Sequence, residues 1–346
     1  MLPKNIKHQT FKNIDLNDPF FDTLKADYSG FSSWFNKHGE REAYVFYDDD
    51  NKIQGFLHLK IEEERVDDVN PVIKANRILK VATFKVNAHG TKLGERFIKI
   101  ITDCAIEKNV DVCYVTIYPK HESLISLVNK FGFEYYGKKK MENVYVKSMK
   151  QLCGDIEKDY PMISAQGHRK YLLSIYPRYH SVMFPDSILK TEDRDLLVDI
   201  SHTNSIHKVY VCSMNVDVLK KGDIIVLYRT AEDRKQAEYT STATSICTVE
   251  EVKKQDEFSS FEEFYRYASS YCVFDKEDLH GWYNQGKCRA IKMTYNVAMK
   301  KRIIRHDLIN QIGLKRDQYW GFFELNDKQF YDICEVSETN PAYIKF

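Results

Sequence analysis

No stretch of the 346 residues approaches the roughly twenty consecutive apolar residues of a membrane-spanning helix, so no membrane partner is expected. Met1 to Lys7 lack the apolar core of a secretory signal. Cysteine is present but unorganised. The eight cysteines are scattered, with no CxxC pair and no spacing suited to zinc. They read as reduced thiols of a cytoplasmic protein, and no metal site is expected. There is no excess of charge of either sign. Lys+Arg number 51 and Asp+Glu 50, a net charge of +1, so overall charge points to no acidic partner. Internal repeats and low-complexity tracts are lacking as well, which excludes solenoids and disordered arrays. What is present is an ordinary globular composition, 43% hydrophobic and 29% charged, over a length sufficient for two or three domains.

The first half alternates strand and helix signals. Phe20, Phe21 and Leu24 suggest a short helix, and residues 29–35 another. Ala43–Tyr47 and Lys52–Ile61 flank the turn Asp48–Asn51 and read as an antiparallel hairpin. The charged run Glu62–Asp68 follows, either a solvated strand end or a functional loop. Ile78–Val86 is a strand that enters a small glycine loop, His89-Gly90-Thr91-Lys92-Leu93-Gly94. That loop opens into a helix with Leu93, Phe97, Ile100, Ile101, Cys104 and Ala105 along one face. Backbone N–H groups at such a helix start suit a phosphate. A strand over Val110–Tyr118, a helix from His121 to the glycine stop at Gly132, and strands near Phe133–Tyr136 and Val144–Met149 complete a mixed sheet.

This order of elements over residues 40–150 resembles the GNAT superfamily of acyl-CoA-dependent acetyltransferases. The loop, the strand Tyr114–Tyr118 and the ending Asn129-Lys-Phe-Gly-Phe133 carry the resemblance. The family's phosphate loop usually reads Gln/Arg-x-x-Gly-x-Gly/Ala. The matching positions here are His89, Lys92 and Gly94, so only the last glycine is kept. By this resemblance acetyl-CoA is the co-substrate, held by Phe84, Val86, His89, Lys92, Leu93, Gly94, Glu95 and His121. His121 stands where an asparagine often contacts the cofactor. Many members use a tyrosine as general acid on the departing thiolate, and the matching position is Val128. Tyr118 and Tyr136 are the alternative acids. Glu63, within the run Glu62–Glu64, is the candidate base. Backbone N–H groups near Phe84–Val86 are expected at the oxyanion.

Beyond the polar boundary Cys153–Pro161 the pattern changes to short strands, with helical segments near Phe261–Ala268, Lys276–Trp282, Ile303–Ile312 and Lys328–Cys334. The run Lys220-Lys-Gly-Asp-Ile-Ile-Val-Leu-Tyr-Arg-Thr230 and the later strand Ala243–Val252 resemble the PUA-like group that includes ASCH and EVE domains. This implies a small β-barrel that binds RNA or modified bases. Arg178, His180, His202, Asn204, Arg229 and Thr230 are the candidate contacts, with Tyr179 and Tyr228 for stacking. From Lys287 to Arg316 nine basic residues stand against the single acid Asp307, among them Lys300, Lys301 and Arg302, a pattern suited to tracking phosphates.

The expectation is therefore an α/β GNAT-like mixed sheet with helices in residues 1–152, and an α+β PUA-like β-barrel domain in residues 162–346. The expected function is direct transfer from acetyl-CoA to an amine, with RNA or tRNA recruited by the second domain. A non-catalytic, acyl-CoA-responsive binding protein is the alternative.

Overall fold

Residues 6–87, 90–189, 201–232 and 236–346 are described by the computed structural model. They fall into two units, Met1–Gln151 and Leu152–Phe346. The first contains β1 (Ile6–Thr10), α1 (Asp22–Asp27), α2 (Phe31–Lys37), β2 (Glu42–Tyr47), β3 (Ile53–Val66), β4 (Ile73–Val86), α3 (Leu93–Glu107), β5 (Val112–Ile117), α4 (Glu122–Lys130), β6 (Glu134–Lys139) and β7 (Glu142–Ser148). Its seven strands lie in the order β1-β2-β3-β4-β5-β7-β6. Among the described residues of this sheet only β4 and β5 run parallel, because α3 carries the chain over between them.

Two features of β4 shape this unit. Leu59 faces Val81 and His58 faces Thr83, so Ala82 is an extra residue on β4, a bulge that bends the strand. Pairing with β5 covers only Ile78–Val81 against Val112–Val115. From Ala82 to Val86, β4 keeps β3 on one side and has no ladder partner on the other among the described residues. The two strands diverge at the bulge and leave a cleft.

The helices are fixed on either side of the sheet by apolar contacts. Phe97 of α3 sits over Gly55 of β3, where a Cβ would meet its ring at 2.7 Å. Phe11, Phe21, Phe31, Phe35 and Phe56 form an aromatic cluster that seats α1 and α2. The charged run 62–68 is mostly strand. Glu63 opposes Arg77, a cross-strand pair of opposite charge, while Arg65, opposite Lys74, takes its counter-charge from Asp67 just beyond the strand.

The second unit contains α5 (Ile156–Asp159), β8 (Ile163–Ser164), β9 (Lys170–Ile175), α6 (Pro177–Met183), α7 (Ser201–Asn204), β10 (His207–Cys212), β11 (Ile224–Arg229), α8 (Ala237–Thr240), β12 (Thr242–Lys254), α9 (Phe261–Ala268), α10 (Lys276–Asn284), β13 (Arg289–Ile304), α11 (Arg305–Asn310), β14 (Phe322–Leu325), α12 (Asp327–Val336) and β15 (Ile344–Lys345). Six strands form a mixed sheet, β10-β13-β12-β11-β9-β14, and β8 pairs with β15. The unit is α+β. Strands β12 and β13 are long, and three register shifts between them add the twist that curls a sheet. Expected as a helix from Ile303, the segment instead continues β13 to Ile304, and the helix begins at Arg305. Lys300 and Lys301 interrupt the apolar pattern and hide the strand's second half. The polar stretch 153–161 belongs to the second unit. Asp155 caps α5, and buried Asp159 accepts from the N–H groups of Cys153 and Gly154. All eight cysteines are free thiols. No helix among the described residues is long and apolar enough to cross a membrane.

The Gly55–Phe97 contact gives a stability test. Gly55→Ala should lower the first unit's stability by about 1–3 kcal/mol, because the ring must move within a packed core. Urea unfolding should show a lower midpoint at unchanged slope. An unaltered midpoint would mean that α3 does not depend on this approach.

Candidate functional site

The cleft at the end of β4 is a cavity of about 570 Å³, within the range of small-molecule sites. Four elements wall it. Strand β4 contributes Phe84, Lys85, Val86 and then Asn87; the loop and first turn of α3 contribute Gly90 to Gly94. The start of α4 adds His121, Ser123, Leu124 and Leu127, and α1 adds Thr23, Leu24 and Asp27.

Local backbone explains the loop. Gly90 has φ +83°, and Lys92, the N-cap of α3, has φ +58°. Both are left-handed, a region that costs a side-chain-bearing residue about 1 kcal/mol or more. Lysine therefore occupies a backbone position that favours glycine, on the cavity wall at the start of the helix. Gly94 is required for another reason. A Cβ there would meet Leu127 Cδ2 at 2.8 Å, so α3 and α4 approach closely.

Charge on the wall is arranged in pairs. The ammonium of Lys85 donates to the Phe20 carbonyl and to Thr23 Oγ1 (2.6 Å), fastening the start of α1, and burial lowers its pKa. Asp27, 11% exposed, faces His121 Nε2 at 3.0 Å and also pairs with Lys120. Burial would raise the Asp27 carboxyl, but hydrogen bonds and charge from Lys120 and His121 outweigh it and hold it below the usual range. The next residue, Tyr28, donates to Glu142 Oε1 at 2.6 Å, and Thr116 donates to the other oxygen of that carboxylate at 3.1 Å. The end of α1 is thereby tied to β5 and β7.

Six residues expected at the co-substrate line this cavity: Phe84, Val86, Lys92, Leu93, Gly94 and His121. Glu95 does not. It is buried and pairs with Lys130 at 3.3 Å. His89 lies outside the described residues. The expected acids and base are elsewhere. Tyr118 packs against Tyr28 (5.3 Å between centroids) and is not on the cavity wall. Tyr136, on the outer strand β6, donates to the Val72 carbonyl. Glu63 is exposed opposite Arg77, seven residues and roughly 23 Å along the ladder from Phe84. Its neighbour Glu62 is held by Lys60 and by the Tyr114 hydroxyl at 2.7 Å. Sequence reading misses Asp27, Lys85 and Thr23, because weak periodicity before residue 40 gives no sign that α1 covers a cleft.

In the second unit the expected nucleic-acid contacts do not form one surface. His180 is fully buried, its Nε2 at 2.7 Å from Thr244 Oγ1, and burial pushes its pKa down to about 3. It is a neutral core histidine and cannot meet a phosphate. Arg229 is buried and pairs with Glu232 at 3.2 Å, beside half-buried Thr230. Asn204, Tyr179 and Tyr228 are buried, and the side chain of His202 lies outside the described residues. Arg178 is exposed but stands over the Tyr179 ring in a shallow pocket with Asp275, Glu277 and Asp278. Lys300 pairs with Glu338 at 2.9 Å, Lys301 is exposed, and Arg302 donates to the carbonyls of Met299 and Asp186.

The interior holds a polar seam that no sequence motif announces. Ser187 Oγ lies 2.5 Å from Ser245 Oγ and 2.8 Å from the Tyr295 hydroxyl, while fully buried Lys208 donates to the Thr203 carbonyl at 3.2 Å. Nearby, His207 has Glu250 at 2.6 Å from Nδ1 and Glu157 at 3.1 Å from Nε2, and Lys292 also holds Glu250 at 2.9 Å. The two carboxylates sit on opposite ring nitrogens. The imidazole is thus clamped between two carboxylates, and one ligand atom from each of the three residues lies within 4.8 Å of the others.

This clamp predicts a pH dependence. Burial alone would raise Glu250, but His207 and Lys292 hold it down to about 2 from an ordinary 4.5. A lowered folded-state pKa stabilises fully above the unfolded value and loses that effect as pH falls from about 4.5 to about 2. The loss is on the order of 3 kcal/mol. Glu250→Gln should reduce stability at neutral pH and narrow its gap to the parent over that window, followed by thermal melts. An equal gap at every pH would contradict the clamp.

No protein-family model matches this sequence, and no curated protein is similar to it at a significant level. Solved structures are similar in part. The ASCH protein of Zymomonas mobilis is 7% identical, with 48% of this chain and 94% of that chain covered at a TM-score of 0.35. An acetyltransferase of the GNAT family from Listeria monocytogenes is 17% identical, covering 43% and 98% at 0.30. Chaetomium thermophilum Naa20 in complex with a bisubstrate analogue is 13% identical, covering 41% and 83% at 0.31. Scores this low carry no weight for activity, which is read from the cleft itself. Structures of both kinds that the sequence resembles, GNAT and ASCH, are among those similar to this chain.

Proposed function

We propose that the first unit binds an acyl-CoA in the β4–β5 cleft and transfers the acyl group directly to an amine, and that the second unit recruits RNA or an RNA-bound acceptor. The observation that carries the first part is the unpaired edge of β4 beyond Ala82, opposite the first turn of α3. An extended chain of amides can pair with such an edge as an added strand. The helix start and Lys92 suit the pyrophosphate at one end of that chain. At the other end, N–H groups of the same edge would face an oxyanion formed at a thioester carbonyl. The amine must attack as the neutral base. The N–C bond forms, the C–S bond breaks, and the thiolate takes a proton.

A second reading, an acyl-CoA-responsive binding protein without turnover, is favoured by one observation. Val128 is buried in the core and no tyrosine lines the cavity among the described residues. The transfer reading therefore needs another proton carrier. Recruitment of RNA rests on the exposed cations Lys287, Lys301 and Lys315 of the basic run.

Calorimetry should detect acetyl-CoA binding that weakens with salt. Lys92→Ala should weaken it by about tenfold, the worth of one charge-assisted contact. Absence of binding heat at low ionic strength would sink both readings of the cleft. For the second unit, RNA retention should fall with salt and lose slope in a Lys301→Ala, Lys315→Ala double variant. A protein that holds no RNA at low salt would exclude the recruiting role alone.

A further inference from the structure

We infer that Asp27 and His121 form the proton-handling pair of this site, an assignment that rests on the acyl-transfer reading above. They lie 94 residues apart and come from different elements, α1 and the residue before α4, yet meet on the cavity wall at 3.0 Å. Their exposures differ in a useful way. Asp27 is 11% exposed and His121 42%, so the carboxylate is set back and the imidazole reaches the open space. With Asp27 ionised, the contact requires a proton on His121 Nε2, and Nδ1 is left as the acceptor. The other carboxylate oxygen is taken by Lys120, which fixes the carboxylate and tempers its pull on the ring. The support behind the pair is rigid. Lys85 fastens the start of α1, and Tyr28 ties its end to Glu142.

The step balances with one proton. His121 Nδ1 accepts a proton from the amine nitrogen as the N–C bond forms. As the C–S bond breaks, the same Nδ1–H returns that proton to the departing sulfur. Acyl-CoA and amine become amide and free thiol, and the protein ends in its starting state. Nδ1 must be unprotonated at the outset, so transfer is expected to rise with pH. The charged groups around the imidazole are Asp27 from α1, Lys85 from β4, Lys92 from the loop, and Lys120 and Glu122 flanking His121 in the chain.

An affinity label tests the assignment without knowledge of the acceptor. S-bromoacetyl-CoA places an alkylating carbon next to the thioester carbonyl. An unprotonated nitrogen in reach displaces bromide and forms a stable N–C bond, which peptide mass spectrometry locates. On the full chain, label is expected on His121, with protection by acetyl-CoA and a sigmoidal rise with pH. Asp27→Asn, which removes a negative charge beside the ring, and Lys120→Ala, which removes a positive one, should move the midpoint in opposite directions, down and up. His121→Gln should lose the label even at label concentrations that saturate the variant by calorimetry. Label on another residue, or none despite measured acetyl-CoA binding, overturns the pair and leaves the cleft assignment standing. Midpoints that do not move in the two neighbouring variants overturn the coupling. No acetyl-CoA binding by the parent chain overturns the acyl-transfer reading and this one with it.

Discussion

The loss of one ladder between β4 and β5 is the constraint on which the first unit depends. A parallel pair can be joined by α3, but it cannot remain paired to its end here, because Ala82 adds a residue and bends β4 away. Everything on the cavity wall follows from that divergence. The strand keeps one row of backbone groups on β3 and turns the other toward open space. Helix α3 starts where the strand stops, so its first turn faces the same space. Close approach of Leu127 at Gly94 then brings α4, and with it His121, to the opposite wall.

Packing supplies the fourth wall. Helix α1 is six residues long and would not be stable alone. It is held by the aromatic cluster beneath it, by Lys85 on the Phe20 carbonyl, and by Tyr28 on Glu142. These contacts place Asp27 against His121. The geometry thus separates two tasks: a backbone edge and helix start suited to a long amide-and-phosphate ligand, and a side-chain pair suited to moving a proton.

The second unit is organised around buried polar groups. Ser187, Ser245, Tyr295, Thr244 and His180 are joined by hydrogen bonds within a sheet interior, and His207 lies between two carboxylates. Such networks stabilise only when complete, since a lone buried partner carries its full desolvation cost. Several residues that look like surface contacts in the sequence are spent here. His180 is neutral and enclosed, Arg302 serves two carbonyls, and Lys292 neutralises Glu250. The basic run is consequently less a continuous patch than a set of cations with separate duties, among which Lys301 and Lys315 are exposed.

The sequence alone determined what depends on local pattern. The apolar face of α3, the glycine stop after α4 and the loop entering α3 are read from spacing, because helix period and left-handed turns are properties of neighbouring residues. Their order was enough to expect a mixed α/β sheet followed by a strand-rich α+β unit. Tertiary structure decided what depends on distant partners. The divergence at Ala82 arises from registers with two different strands. Asp27 meets His121 across 94 residues, and nothing in the weakly patterned α1 segment marks it. Glu63 is expected as a base because, by the GNAT resemblance, the family carries one near this place after the hairpin, but register puts it at the ladder's far end. A charge in a sequence does not declare whether a carboxylate, a carbonyl or water will meet it, and only packing makes that choice.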